Sequence, residues 1–111
     1  MATQTNSHSS MVDFITTRRA SNRATLEARW SVAEQAYEEL QALETRIGQG
    51  VVYVNAHKDD ARARKLLGDL RVELARATQA YDDAFLAFTQ AEETYLQSVR
   101  ECRLCGAPEE G

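Results

Sequence analysis

The sequence predicts an all-α fold: an antiparallel two-helix hairpin of coiled-coil type with a polar N-terminal arm, built to oligomerise into a bundle. Three observations carry that expectation. One Pro and five Gly in 111 residues are few for the turns of an all-β domain, since average usage is about 5% Pro and 7% Gly. Apolar residues recur at alternating spacings of three and four along two stretches, as on the seam between packed helices. Between them stands Gly48-Gln49-Gly50, two glycines that each cost a helix interior up to about 1 kcal/mol relative to Ala.

The elements follow in order. Residues 1–10, MATQTNSHSS, are small and polar without periodicity and read as a flexible arm. Ser10 followed by Asp13 is a helix start signal, and an acid in the first turn suits the positive end of the helix dipole. Helix 1 is expected over about 11–47. Its seam is Leu26, Trp30, Ala33, Tyr37, Leu40 and Ile47, with Glu44 out of type. A turn over about 48–58 follows, although Val51 and Val54 continue the helix 1 phase. Two chains lying antiparallel as long unbroken helices would use the same seams. The hairpin is preferred because the phase slips before Leu67.

Helix 2 is expected over about 59–105, starting after Asp59-Asp60, two acids placed to cap it. Its seam reads Leu67, Leu70, Leu74, Ala77, Tyr81, Ala84, Phe88, Ala91, Tyr95, Ser98, Cys102, Cys105. Large rings alternate with Ala from residue 77 to residue 95, a pattern that lets a facing helix approach closely. Gly106 and Pro108 end the helix, leaving a C-terminal tail over 106–111. With a turn near residue 53, Trp30 pairs with Ala77, Tyr37 with Leu70 and Leu40 with Leu67. That arrangement sets the acids Glu34, Glu38, Glu39 and Glu44 beside Arg62, Arg64, Lys65 and Arg71, and the bases Arg18, Arg19, Arg23 and Arg29 beside Asp82, Asp83, Glu92 and Glu93. Such block complementarity selects the antiparallel orientation.

Apolar residues outside the seams form a second stripe: Leu66, Val72, Ala80, Phe85, Leu86, Leu96, Val99 and Leu104, with Val32, Ala36 and Leu43 on helix 1. A stripe of this kind is covered by another copy or another protein. The expected partner-binding residues are therefore Phe85, Leu86, Leu96 and Val99, joined by the hairpin tip Val51, Val52, Tyr53 and Val54. The tip is four β-formers that dock a partner, or else form the last turn of helix 1 or a loop over the bundle end.

Cys102 and Cys105 stand three apart and before a Gly, as in half of a zinc knuckle. Zinc needs four ligands, so a metal site would exist only if shared between two chains. A redox pair is disfavoured at a helix C-terminus, whose dipole opposes a thiolate. The plainer reading makes both cysteines small seam residues, and no cofactor is expected. No catalytic constellation is found: the paired acids Asp82-Asp83 and Glu92-Glu93 are sequence neighbours, and no Gly-rich phosphate loop or activated nucleophile occurs. A net charge of -4 argues against a nucleic-acid partner. No apolar run suits a membrane span and the N-terminus lacks a secretory signal, so a cytoplasmic location, or one within an intracellular or viral assembly, is expected. The expectation for function is a non-enzymatic structural or assembly protein acting by helix–helix oligomerisation, of the kind of a virion accessory subunit. The alternative is a small adaptor or inhibitor that uses the tip or the acidic face.

Overall fold

The computed structural model describes residues 2–105, with side chains over 10–104. The fold is the expected all-α hairpin: α1 spans Ala2–Ala56 and α2 spans Ala61–Cys105, packed against each other. Every described residue is helical except His57–Asp60, and no strand occurs among them.

Two boundaries of α1 differ from expectation. Residues 2–10, expected as an arm, continue α1; nothing in ATQTNSHSS breaks a helix, and extending one already formed is far easier than nucleating it. The tail over 106–111 lies outside the described residues. The second difference is larger: α1 runs straight through Gly48 and Gly50 to Ala56. An alanine Cβ at position 50 would stand 3.1 Å from Cδ1 of Leu67, so the bare backbone there is what lets Leu67 come close. Val54 carries the seam onward with Val51 half-buried beside it, and this packing outweighs the low helix propensity of the glycines.

Moving the turn moves the register by twice as much. Trp30 meets Phe88 where Ala77 was expected, with ring centroids 5.1 Å apart. Tyr37 meets Tyr81 where Leu70 was expected, at 5.6 Å. The charge blocks read from the sequence are displaced accordingly, and Arg18 pairs across the hairpin with Glu101.

The α2 seam is as expected. Leu67, Leu74, Tyr81, Phe88, Tyr95 and Cys102 form one column and Leu70, Ala77, Ala84, Ala91 and Ser98 the other, each buried or half-buried. The α1 seam is partly different. One column is Arg19, Leu26, Ala33, Leu40, Ile47 and Val54; the second is Ile15, Asn22, Ala36, Leu43 and Gly50. Ala36 and Leu43 thus belong to the seam and not to the outer stripe. Trp30 and Tyr37 instead lie on its flank, half-exposed, because a full heptad step from Ala33 or Leu40 misses both.

The chain divides into two compact units. The turn unit, Ser31–Phe85, buries Ala33 and Leu67 and is closed by a tight turn. The backbone N–H of His57 donates to the carbonyls of Tyr53 and Val54 at 2.9 and 3.2 Å, which ends α1. Asp60 opens α2: its Oδ1 accepts the Ala63 N–H at 2.9 Å, and its carbonyl accepts the Arg64 N–H. This is the N-cap that Asp59-Asp60 foretold. The terminal unit holds residues up to Trp30 and from Leu86 onward. It buries Ile15 and Cys102, with Val12 packed on them, together with Arg19 and Ser98.

Candidate functional site

The candidate sites are helix faces, each built by the spacing that leaves it outside the seam. At the turn, Val51 to Val54 lie within the last two turns of α1 and not in a loop. Val51 and Val54 face inward and are half-buried, whereas Val52 is 70% exposed. Tyr53 serves the turn. Its hydroxyl donates to Oδ2 of Asp60 at 3.1 Å, and its ring stacks on the His57 imidazole at 4.1 Å and 15°. The His57 Nδ1 lies 3.0 Å from the Tyr53 carbonyl; a carbonyl only accepts, so this contact requires the proton on Nδ1. The Ala63 N–H, then the Tyr53 hydroxyl, hold the Asp60 carboxyl below its usual range. The same hydrogen bond to Asp60, with the negative charge behind it, raises the Tyr53 phenol above its ordinary value. Beside this network a cleft of about 330 Å³ opens between Tyr53, Val54, Leu66 and Leu70, and Leu66 is exposed at its rim.

Further along the turn unit, three rings share one flank. Tyr37 packs on Tyr81, and Tyr81 on Phe85 at 6.0 Å. Tyr37 and Phe85 are each 46% exposed, and the Tyr37 hydroxyl accepts a hydrogen bond from Gln41 at 2.8 Å. Val72 is also exposed in this unit. The sequence pattern puts Phe85 on the outer stripe but Tyr37 in the seam; the structure brings them onto one flank.

In the terminal unit, Leu86 and Leu96 are exposed and Val99 is half-buried. Phe14, not singled out from the sequence, is exposed beneath the Arg18 guanidinium, 5.7 Å from its ring centre. A shallow groove lined by Arg18, Asn22, Thr94, Gln97, Ser98 and Glu101 runs along this unit. Its floor is self-satisfied where Ser98 Oγ donates to the Tyr95 carbonyl at 2.6 Å.

The Cys102 side chain is fully buried, and its thiol points at the Ile15 carbonyl 3.9 Å away. An ion shared between chains would require that sulfur to leave the seam. The side chain of Cys105 lies outside the described residues. Among the described residues no group of three or more His, Cys, Asp or Glu side chains gathers in a way that would hold a metal, and no helix is long and apolar enough to cross a membrane. Asp82, Asp83, Glu92 and Glu93 are all exposed. Arg19, a member of the expected basic block, is instead buried at a seam position, one heptad before Leu26. No family model, curated protein or solved structure matches the chain.

Proposed function

We propose that this chain is a non-enzymatic structural or assembly protein that works through helix–helix oligomerisation within a larger complex. The observation that supports this is the imbalance of apolar burial. Among the described residues the hairpin buries Ile15, Ala33, Leu67 and Cys102, while Phe14, Trp30, Val32, Leu66, Val72, Phe85, Leu86 and Leu96 remain exposed. Ordering a residue costs on the order of 1–2 kcal/mol of backbone entropy. A seam this thin is a weak offset, and large exposed apolar surface marks an interaction face. The partners are another copy of the chain, another protein, or both.

Native mass spectrometry of the reduced protein, purified without chelator, tests this reading. A metal-free oligomer is the expected result. A chain that stays monomeric at high concentration overturns self-assembly and leaves the apolar stripe to another protein. Zinc at one ion per two chains, lost on Cys102→Ser, would instead make the C-terminal end a shared clamp.

The exposed Val52 and the cleft beside Leu66 favour a second reading, an adaptor or inhibitor that docks through the turn end. Val52→Asp discriminates, because Val52 takes no part in the Tyr53, His57 and Asp60 network. An assembly subunit keeps its oligomeric state, whereas a tip-reading adaptor loses its partner.

A further inference from the structure

Two glycines of the turn unit face open space among the described residues. Gly50 is explained by Leu67, but a Cβ added at Gly48 or Gly68 would meet nothing within 4 Å. Glycine in a helix interior is unfavourable, and at these two positions the hairpin offers no compensation. Both lie on the flank that carries the aromatic rings. Gly48 follows Tyr37 by eleven residues, close to three helical turns, and so returns to the same side of α1. On α2, Gly68 and Phe85 occupy adjoining heptad columns outside the seam, the columns that also hold Arg71, Ala75, Thr78 and Asp82. The flank therefore has a ridge of rings at one end and a bare floor at the other.

The spacing is self-complementary. The midpoint of Tyr37 and Gly48 falls between residues 42 and 43. That of Phe85 and Gly68 falls between residues 76 and 77, as does that of Asp82 and Arg71. Because Tyr37 packs on Tyr81, these midpoints lie level across the hairpin to within about one residue of helix rise. A single two-fold axis through both satisfies every pair at once, which is the requirement of an isologous interface.

We propose that a second copy of this chain docks antiparallel on this flank, so that Tyr37 and Phe85 of each copy lie over Gly48 and Gly68 of the other and Asp82 of each faces Arg71 of the other. The inference rests on the assembly reading above and names its surface and occupant. Charge supports it, since Arg71 and Asp82 are both exposed and the symmetry forms their pair twice.

The test is sedimentation velocity of the full chain from 1 to 100 µM (about two decades around a micromolar constant), with far-UV circular dichroism as the check on folding. Gly48→Gln with Gly68→Gln fills the floor while improving helix propensity, so helicity is kept or raised and the dimer weakens by about 100-fold or more. Asp82→Arg alone sets like charges together and weakens the dimer about tenfold; adding Arg71→Asp restores it to within about threefold. A dimer indifferent to the double Gln variant overturns the flank assignment and leaves the assembly reading standing. Failure of the double charge reversal to restore the dimer overturns the antiparallel register. A wild-type monomer at 100 µM overturns the interface and leaves the exposed faces to another protein.

Discussion

The turn unit and the terminal unit use the same heptad spacing with different chemistry. In the turn unit the columns hold Ala33, Leu40, Leu43, Ile47 and Leu67, and a hydrogen-bonded turn closes one end. In the terminal unit the equivalent columns bury Arg19 and Ser98 beside Ile15 and Cys102. Ser98 spends its hydroxyl on its own helix, the Cys102 thiol reaches a backbone carbonyl only at 3.9 Å, and Thr16 Oγ1 is buried with no hydrogen-bond partner among the described residues. Spacing decides where two helices touch; what fills the columns decides how firmly. Native-state hydrogen exchange should accordingly find slower amides in α2 before Phe85 than after it.

The largest effect is expected from Leu67→Ala, which empties the aliphatic column opposite Gly50. A loss of about 3 kcal/mol in denaturant unfolding is expected, in the range measured for buried leucines. A loss under about 1 kcal/mol would mean that the turn unit is no better packed than the terminal one.

Thr16→Val works in the opposite direction. Removing a buried hydroxyl that has no partner, at nearly constant volume, should stabilise the terminal unit by about 1 kcal/mol. Trp30, the one tryptophan of the chain, lies in that unit against Phe88, so its fluorescence reports the change. No gain would show that the polar seam is better satisfied than its hydrogen bonds imply.

Loss of the cap, Asp60→Ala, should lower the melting temperature by roughly 5 °C near neutral pH. The folded-state pKa of Asp60 is depressed, chiefly by the Ala63 N–H. Its contribution is therefore complete above the ordinary carboxylate range and is lost as pH falls through the folded value. The gap between wild type and variant should shrink on acidification below about pH 4. Tyr53 has the opposite sign, because its pKa is raised by the bond it donates to Asp60. Its contribution holds below the ordinary phenol value and fades as alkaline pH ionises the folded hydroxyl. A variant gap that is flat in acid would place the cap's strength outside the carboxylate.

The smallest effect lies within a single turn of α1. Gly48→Ala should stabilise by about 0.5–1 kcal/mol through helix propensity. Gly50→Ala should forfeit that gain, because the new methyl stands 3.1 Å from the buried Leu67. Equal melting temperatures for the two variants would show that Leu67 yields freely.

These paired sites also explain what the sequence could disclose. The α2 seam was legible down to Cys102 because large and small apolar residues alternate there without interruption. The α1 seam was legible only in part, since Arg19, Asn22, Ala36 and Gly50 offer little hydrophobic contrast while Trp30 and Tyr37, the most conspicuous residues, belong to the flank. The turn was misplaced because local propensity treats Gly48 and Gly50 alike. Only the facing Leu67 distinguishes them, and a facing residue is known once register is known. Of the expected interaction residues, Val52, Phe85, Leu86 and Leu96 are exposed where an outer stripe requires, while Val51, Val54 and Val99 are half-buried and Tyr53 is engaged by the turn.

The connection between the helices is only His57-Lys58-Asp59-Asp60, and it holds one of the chain's two lysines, the other being Lys65 within α2. A lysine-specific protease should therefore nick the folded chain at Lys58, where the backbone is exposed and irregular, well before it reaches the helical Lys65. That single cut converts an internal contact into an encounter between two separate peptides. The seam then loses the effective concentration, in the millimolar range for short links, that the turn had supplied. Whether the halves stay together at micromolar dilution would measure how much of the hairpin is held by its faces and how much by four residues of tether.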